Sequence, residues 1–145
     1  MKNRITRKFE FDSGHRVMRH ESKCRNLHGH RYVAEVTVQS DELDELGRVI
    51  DFSKLKILVG GWIDTYWDHG YICHPEDPVI ALAVLEDWKF YTMPLSRPNP
   101  TAENMVEELG CRCIELVEGT GLEIAKVRLF ETPNCWAAWS NPHCK

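Results

Sequence analysis

Residues 28–38 read HGHRYVAEVTV, and this stretch decides the fold class. It alternates: His28, His30, Tyr32, Ala34, Val36 and Val38 fall on one face of an extended strand, and Arg31, Glu35 and Thr37 on the other. The apolar face calls for cover by other elements, and the two imidazoles at its start project the same way.

Working outward, Ile5, Phe9, Phe11 and His15 share the odd-numbered phase, so a strand there carries His15 on the face of its aromatic residues. Near the other end EIAKVRLFET (residues 123–132) alternates again. Ala125, Val127, Leu129 and Glu131 lie on one face and Lys126, Arg128 and Phe130 on the other, which puts the Glu131 carboxylate on the apolar side. Two helices are predicted between these strands. Over residues 53–67, Leu55, Leu58, Val59, Trp62, Ile63 and Tyr66 recur at helical spacing, although Gly60 and Gly61 each weaken a helix by roughly 1 kcal/mol relative to Ala. The second helix begins at Thr101, a suitable N-cap after Pro100, and buries Met105, Val106, Leu109, Cys113, Leu116 and Val117 before Gly119 and Gly121 end it. The order strand, strand, helix, short strands, helix, strand lacks the regular alternation of a doubly wound sheet. It predicts an α+β fold, an antiparallel sheet with helices on one face.

The length of 145 residues suits one domain with a sizeable core, and no repeat or low-complexity tract divides it. The Pro-rich MPLSRPNPT at residues 93–101 reads as a loop leading into the second helix. A net charge of −4 argues against a general polyanion binder, so nucleic acid is not the expected partner. The beginning, MKNRITRKFEFDSGHRV, has no apolar stretch of signal-peptide length, and no apolar run approaches a membrane span; the expectation is a soluble, cytoplasmic protein. Its six cysteines then read as reduced thiols, not as a disulfide framework.

Residues 24–30, CRNLHGH, raise the question of chemistry. His15, His28 and His30 together meet the needs of a catalytic zinc site, three neutral nitrogens with a fourth position open. An HxH pair alone reads first as two hydrogen-bonded histidines on a half-exposed strand; the in-phase His15 and the nearby Cys24 bring a metal site level with that reading. Cys24 is either a fourth ligand or a separate reactive group. Asp68 and His69 form an acid–imidazole pair, or else a solvated acid beside a histidine at a helix end. Glu103 is a favourable first-turn acid, whereas Glu131 on an apolar face needs a partner, since an unpaired buried carboxylate costs several kcal/mol.

The set FDSGHRV, KCRNLHGHRYVAEVTV, GRVIDFSKLK, WDHGYI, NPTAENM and VRLFET, in this order and spacing from about residue 8 to residue 132, resembles the 6-pyruvoyl-tetrahydropterin synthase superfamily of tunnelling-fold (T-fold) enzymes. The three residues between Cys24 and His28 resemble the queuosine-pathway branch, the 6-carboxy-tetrahydropterin synthases, not the biopterin-forming branch with its longer spacing.

That resemblance implies a four-stranded antiparallel sheet with two helices on one face, assembled into trimeric β-barrels that commonly pair as hexamers, with sites between subunits. It implies conversion of 7,8-dihydroneopterin triphosphate to 6-carboxy-5,6,7,8-tetrahydropterin with loss of acetaldehyde and triphosphate, on a route to 7-deazaguanine nucleosides. His15, His28 and His30 match the zinc ligands. Cys24 matches the catalytic cysteine, a base whose thiolate would be favoured by zinc and by Lys23 and Arg25. Asp68 and His69 match a second proton-transfer pair, Glu131 the pterin anchor, and Thr101 and Glu103 further pterin-pocket positions. Residues 73–98 depart from shorter relatives and read as an edge hairpin or a substrate-side lid. Two other readings stand beside this one: a triphosphate-eliminating 6-pyruvoyl-tetrahydropterin synthase whose product keeps the three-carbon side chain, and a noncatalytic pterin- or zinc-binding protein that would not need Cys24, Asp68 and His69 together.

Overall fold

Two long strands, β1 (Asn3–His15) and β2 (His28–Ser40), form an antiparallel ribbon whose register pairs His15 with His28, Ser13 with His30, Phe11 with Tyr32 and Phe9 with Ala34. Directly paired residues share a face, so the apolar residues predicted from either strand meet, and the imidazoles gather at one end. The computed structural model describes residues 2–144. Along the chain follow α1 (Phe52–Leu55), a π-helical turn (Lys56–Gly60), α2 (Gly61–Tyr66), β3 (Gly70–Cys73), α3 (Val79–Leu85), β4 (Phe90–Thr92), α4 (Ala102–Leu116), β5 (Glu123–Thr132) and β6 (Cys135–Ser140).

The fold is α+β as expected, but the described strands number six, in the order β4-β3-β1-β2-β5-β6. The four-stranded, wholly antiparallel sheet is therefore corrected: β3 runs parallel to both β1 and β4. Strands of three or four residues carry too little alternation to stand out from a loop. Residues 73–98 form no hairpin either, because a parallel β3–β4 pair requires a crossover, which α3 supplies. In β5 the alternation breaks at a bulge: Thr37 pairs with Lys126 but Val38 with Ile124, so Ile124 enters the core beside Val127 and Leu129.

One sheet face is covered by the helices. Phe9, Phe11, Tyr32, Ala34, Val36 and Val38 pack with Leu55, Val59, Ile63 and Trp67 from the first helical segment and with Met105, Leu109 and Cys113 from α4. The first segment buries a strict four-residue series, whereas Leu58 and Trp62 are only partly buried and Tyr66 is exposed. The π turn accounts for this difference, since its wider winding keeps residues four apart on one line. The other sheet face is polar and tied together: Arg128 grips Glu35 with two nitrogens (3.0 and 2.6 Å), Thr6 meets Thr37 (2.7 Å), and Arg31 reaches Asp12 (2.9 Å). No described helix is long and apolar enough to cross a membrane.

Candidate metal centre and substrate pocket

The antiparallel register stacks His15 beside His28, and the alternation of β2 adds His30 two residues on. The nitrogens these three rings offer lie within 4.8 Å of one another. Two of the rings are held from behind: the Nδ1 of His15 sits 2.8 Å from the Pro100 carbonyl, and the Nδ1 of His28 sits 2.7 Å from the Asn26 carbonyl. A carbonyl only accepts, so in each ring Nδ1–H donates and Nε2 keeps its lone pair. The Nε2 of His15, in a residue only 1% exposed, has no hydrogen-bond partner.

Burial pushes the His15 imidazole down to about 4, helped by any charge on His28 and His30, although the Pro100 carbonyl pulls the other way. Burial also lowers His30, with His28 adding to it. Neutral rings with inward lone pairs are what a divalent metal requires, and an orphaned buried nitrogen at the centre of the cluster fits a site built for one.

A cavity of about 280 Å³ opens on this cluster and is lined by His15, His28, His30, Cys24, Thr101, Glu103 and Glu131. The structure thus brings together seven of the nine residues singled out from the sequence. Glu131 is half-buried, with Oε1 3.9 Å from the Nε2 of His15. Burial raises its carboxyl above the ordinary range, the Glu103 charge adds to this, and His28 opposes it. Cys24 is a free, partly exposed thiol on a short 3-10 turn, Lys23–Arg25. That turn is fixed by hydrogen bonds from the Val17 amide to the Cys24 carbonyl (2.8 Å) and from the Asn26 amide to the Lys23 carbonyl (3.0 Å).

The sequence NPTAEN acts as a clasp. The Asn99 side chain bonds both the amide and the carbonyl of Met18 (3.0 Å each), Pro100 holds His15, and the Thr101 hydroxyl caps α4 by accepting the Asn104 amide (3.1 Å). The Asn104 side chain in turn donates to the Asn99 carbonyl (2.8 Å). Sequence reasoning missed Asn99 and Asn104, as it missed His20, Cys135 and Trp136, which also line the cavity. Of these only Asn99, ahead of a proline and a helix cap, stands where loop-fixing side chains are common.

Asp68 and His69 stand apart from this cavity. They precede β3, where His69 borders an open depression at the end of the β1–β2 ribbon, lined also by Asp12, Arg31 and the same His28 and His30 that line the cavity. Asp68 does orient the imidazole: its Oδ2 lies 2.9 Å from the His69 Nδ1, while its Oδ1 accepts the Asp12 amide (3.0 Å). Burial would raise the Asp68 carboxyl, but those two partners outweigh it and leave it lowered. His69 has φ 56°, a strained setting for a non-glycine residue, held by its amide bond to the Asp12 carbonyl (2.7 Å).

A family model described as 6-pyruvoyl tetrahydropterin synthase matches residues 4–142. The chain is 41% identical over 134 residues to the 6-carboxy-5,6,7,8-tetrahydropterin synthase of Rickettsia bellii, a match covering 92% of this chain and 96% of that one. Among solved structures, an uncharacterized protein from Wolinella succinogenes is similar with a TM-score of 0.80 at 24% identity, over 97% of this chain and 99% of that one. The 6-pyruvoyl tetrahydropterin synthase of Caenorhabditis elegans gives a TM-score of 0.69 at 22% identity, over 97% and 96%. At these identities the two structures speak for the fold.

Proposed function

Because the chain belongs to the 6-pyruvoyl tetrahydropterin synthase family, we propose that it is a zinc-dependent lyase. It converts 7,8-dihydroneopterin triphosphate and one water to 6-carboxy-5,6,7,8-tetrahydropterin, releasing acetaldehyde and triphosphate, and so serves queuosine or a related 7-deazaguanine route. The observation that carries this reading is the placement of the three histidines, Cys24 and Glu131 around one cavity. The carboxy product is favoured over the pyruvoyl product by the name of the Rickettsia relative and by the three-residue gap between Cys24 and His28.

Zinc held by His15, His28 and His30 would supply Lewis-acid polarisation of the substrate's side-chain hydroxyls, making their protons easier to remove. Glu131 would accept two hydrogen bonds from the guanidine-like edge of the pterin, a charge-assisted pair that fixes the ring, with Thr101 and Glu103 completing that end of the pocket. Cys24, held apart from the three ligands, would take the substrate proton as a thiolate. Asp68 would keep His69 aligned for the second proton transfer.

His69 does not line the cavity of its own chain but borders the depression that adjoins it at His28 and His30, which fits sites formed between subunits. Two sheet edges that are free among the described residues offer a route to such an assembly: β3 covers β1 only at Ser13–His15, leaving the rest of that edge without a described neighbouring strand, and β6 ends the sheet on the other side. A ring closed through these edges yields the trimeric barrel, paired or not into a hexamer. The function is tested by incubating zinc-loaded protein with 7,8-dihydroneopterin triphosphate. Wild type should release acetaldehyde, and Cys24→Ala should lose about 100-fold or more of that rate with its zinc retained. Unchanged turnover in Cys24→Ala would contradict the assigned role.

A further inference from the structure

Charge is distributed unevenly around the cavity. Its lining carries two carboxylates, Glu103 and Glu131. Cys24 reaches the same cavity from residues 17–27, VMRHESKCRNL, which carry Arg19, Lys23 and Arg25 against Glu21. Three cations less one anion leave this loop at +2 in a chain whose net charge is −4.

The loop is fastened at several points. Asn99 holds Met18 by both backbone groups, the Val17 amide holds the Cys24 carbonyl, and the His20 amide returns to the Val17 carbonyl (3.2 Å). The cations are therefore presented from a fixed backbone. Arg25 has no carboxylate, amide or carbonyl partner among the described residues, whereas every other described arginine has one. Lys23 is likewise without an ion pair among the described residues, and both side chains are exposed on the turn that holds Cys24. Lys23 and Arg25 do not line the cavity but flank Cys24, which does, and carboxylates inside with cations on the adjoining turn suit a ligand with hydrogen-bond donors at one end and a polyanion at the other.

We propose that Lys23 and Arg25 are the polyphosphate-binding rim of this site, gripping the triphosphate of the substrate and holding it through departure. The assignment rests on the reading of the cavity as a pterin triphosphate site, but makes a claim of its own: affinity for a polyphosphate chain resides in these two side chains. A guanidinium can engage two phosphate oxygens at once and an ammonium one, so Arg25 is the stronger of the pair.

The test is calorimetric binding of inorganic triphosphate to zinc-loaded wild type, Arg25→Ala, Arg25→Lys and the Lys23→Ala/Arg25→Ala double variant, together with steady-state kinetics on 7,8-dihydroneopterin triphosphate. Triphosphate affinity should fall about tenfold or more in Arg25→Ala and further in the double variant, with partial rescue in Arg25→Lys. The loss should appear in KM far more than in kcat, and wild-type affinity should weaken as salt is raised. A wild type that binds inorganic triphosphate through Arg25 yet does not turn over the pterin would support the rim and remove the functional reading on which it was built. A wild type that turns over the pterin while the double variant keeps its KM and its triphosphate affinity would overturn the rim and leave that reading intact.

Discussion

The two nitrogens of His15 have different tasks: Nδ1 is tied to the Pro100 carbonyl, and Nε2 is left bare among two other imidazoles. Burying this ring has a consequence for stability that can be measured without a metal. Its ordinary value is 6.5 and burial takes it to about 4, so between those values the unfolded chain binds a proton that the folded chain refuses. The contribution is fully present above pH 6.5 and is lost as the pH falls toward 4, at about 1.4 kcal/mol per unit, a total on the order of 3 kcal/mol. Urea unfolding of metal-free protein at pH 7 and pH 5 should show about 2 kcal/mol of that fall, and a His15→Gln variant should show a smaller one. Equal pH dependence in the two proteins would mean that His15 does not report the buried cluster. His15, His28 and His30 were legible from strand phase alone, because a period of two leaves no freedom in which way alternate residues point. His20, Cys135 and Trp136 were not, because loop and strand-end residues have no phase to read.

At the level of elements, α4 and β6 show how closely two segments approach when a side chain is missing. A methyl group added at Gly110 would lie 2.4 Å from the Trp139 ring, well inside contact distance, so Gly110 on α4 is the seat of an indole from the edge strand. Gly110→Ala should destabilise the fold by about 1–3 kcal/mol, read as a lower denaturation midpoint at unchanged slope. A neutral effect would show that β6 docks elsewhere. Sequence periodicity found α4, its Thr101 cap and most of its buried face, but β6 passed unread: CWAAWS is short, follows directly on the longer β5 and is mostly exposed. The π turn was hidden for another reason. Leu55, Val59, Ile63 and Trp67 are spaced for a wider winding, yet Leu58 and Trp62 supply an equally good α-helical stripe. Buried Glu108 was hidden as well. It accepts from the Tyr91 hydroxyl (2.8 Å) and from Arg97 (3.2 Å), tying β4 and the Pro-rich loop to α4 through partners distant in sequence.

For the whole molecule, the two groups assigned to proton transfer line different recesses of one chain that adjoin at His28 and His30, Cys24 the cavity and His69 the open depression at the ribbon's end. An assembly through the free edges of β1 and β6 would let one chain's cavity receive its neighbour's His69. Co-expression of Cys24→Ala with His69→Ala should then restore turnover that neither variant has by itself, since some mixed sites would carry both intact residues. Absence of restoration in a verified mixed oligomer would place both groups in one chain's site. The chemistry itself is tested most directly by mass spectrometry of the pterin formed when zinc-loaded protein acts on 7,8-dihydroneopterin triphosphate. The expected product is 6-carboxy-5,6,7,8-tetrahydropterin with acetaldehyde in equal amount; a product that retains the three-carbon side chain, with no acetaldehyde, would refute the carboxy-forming lyase assignment.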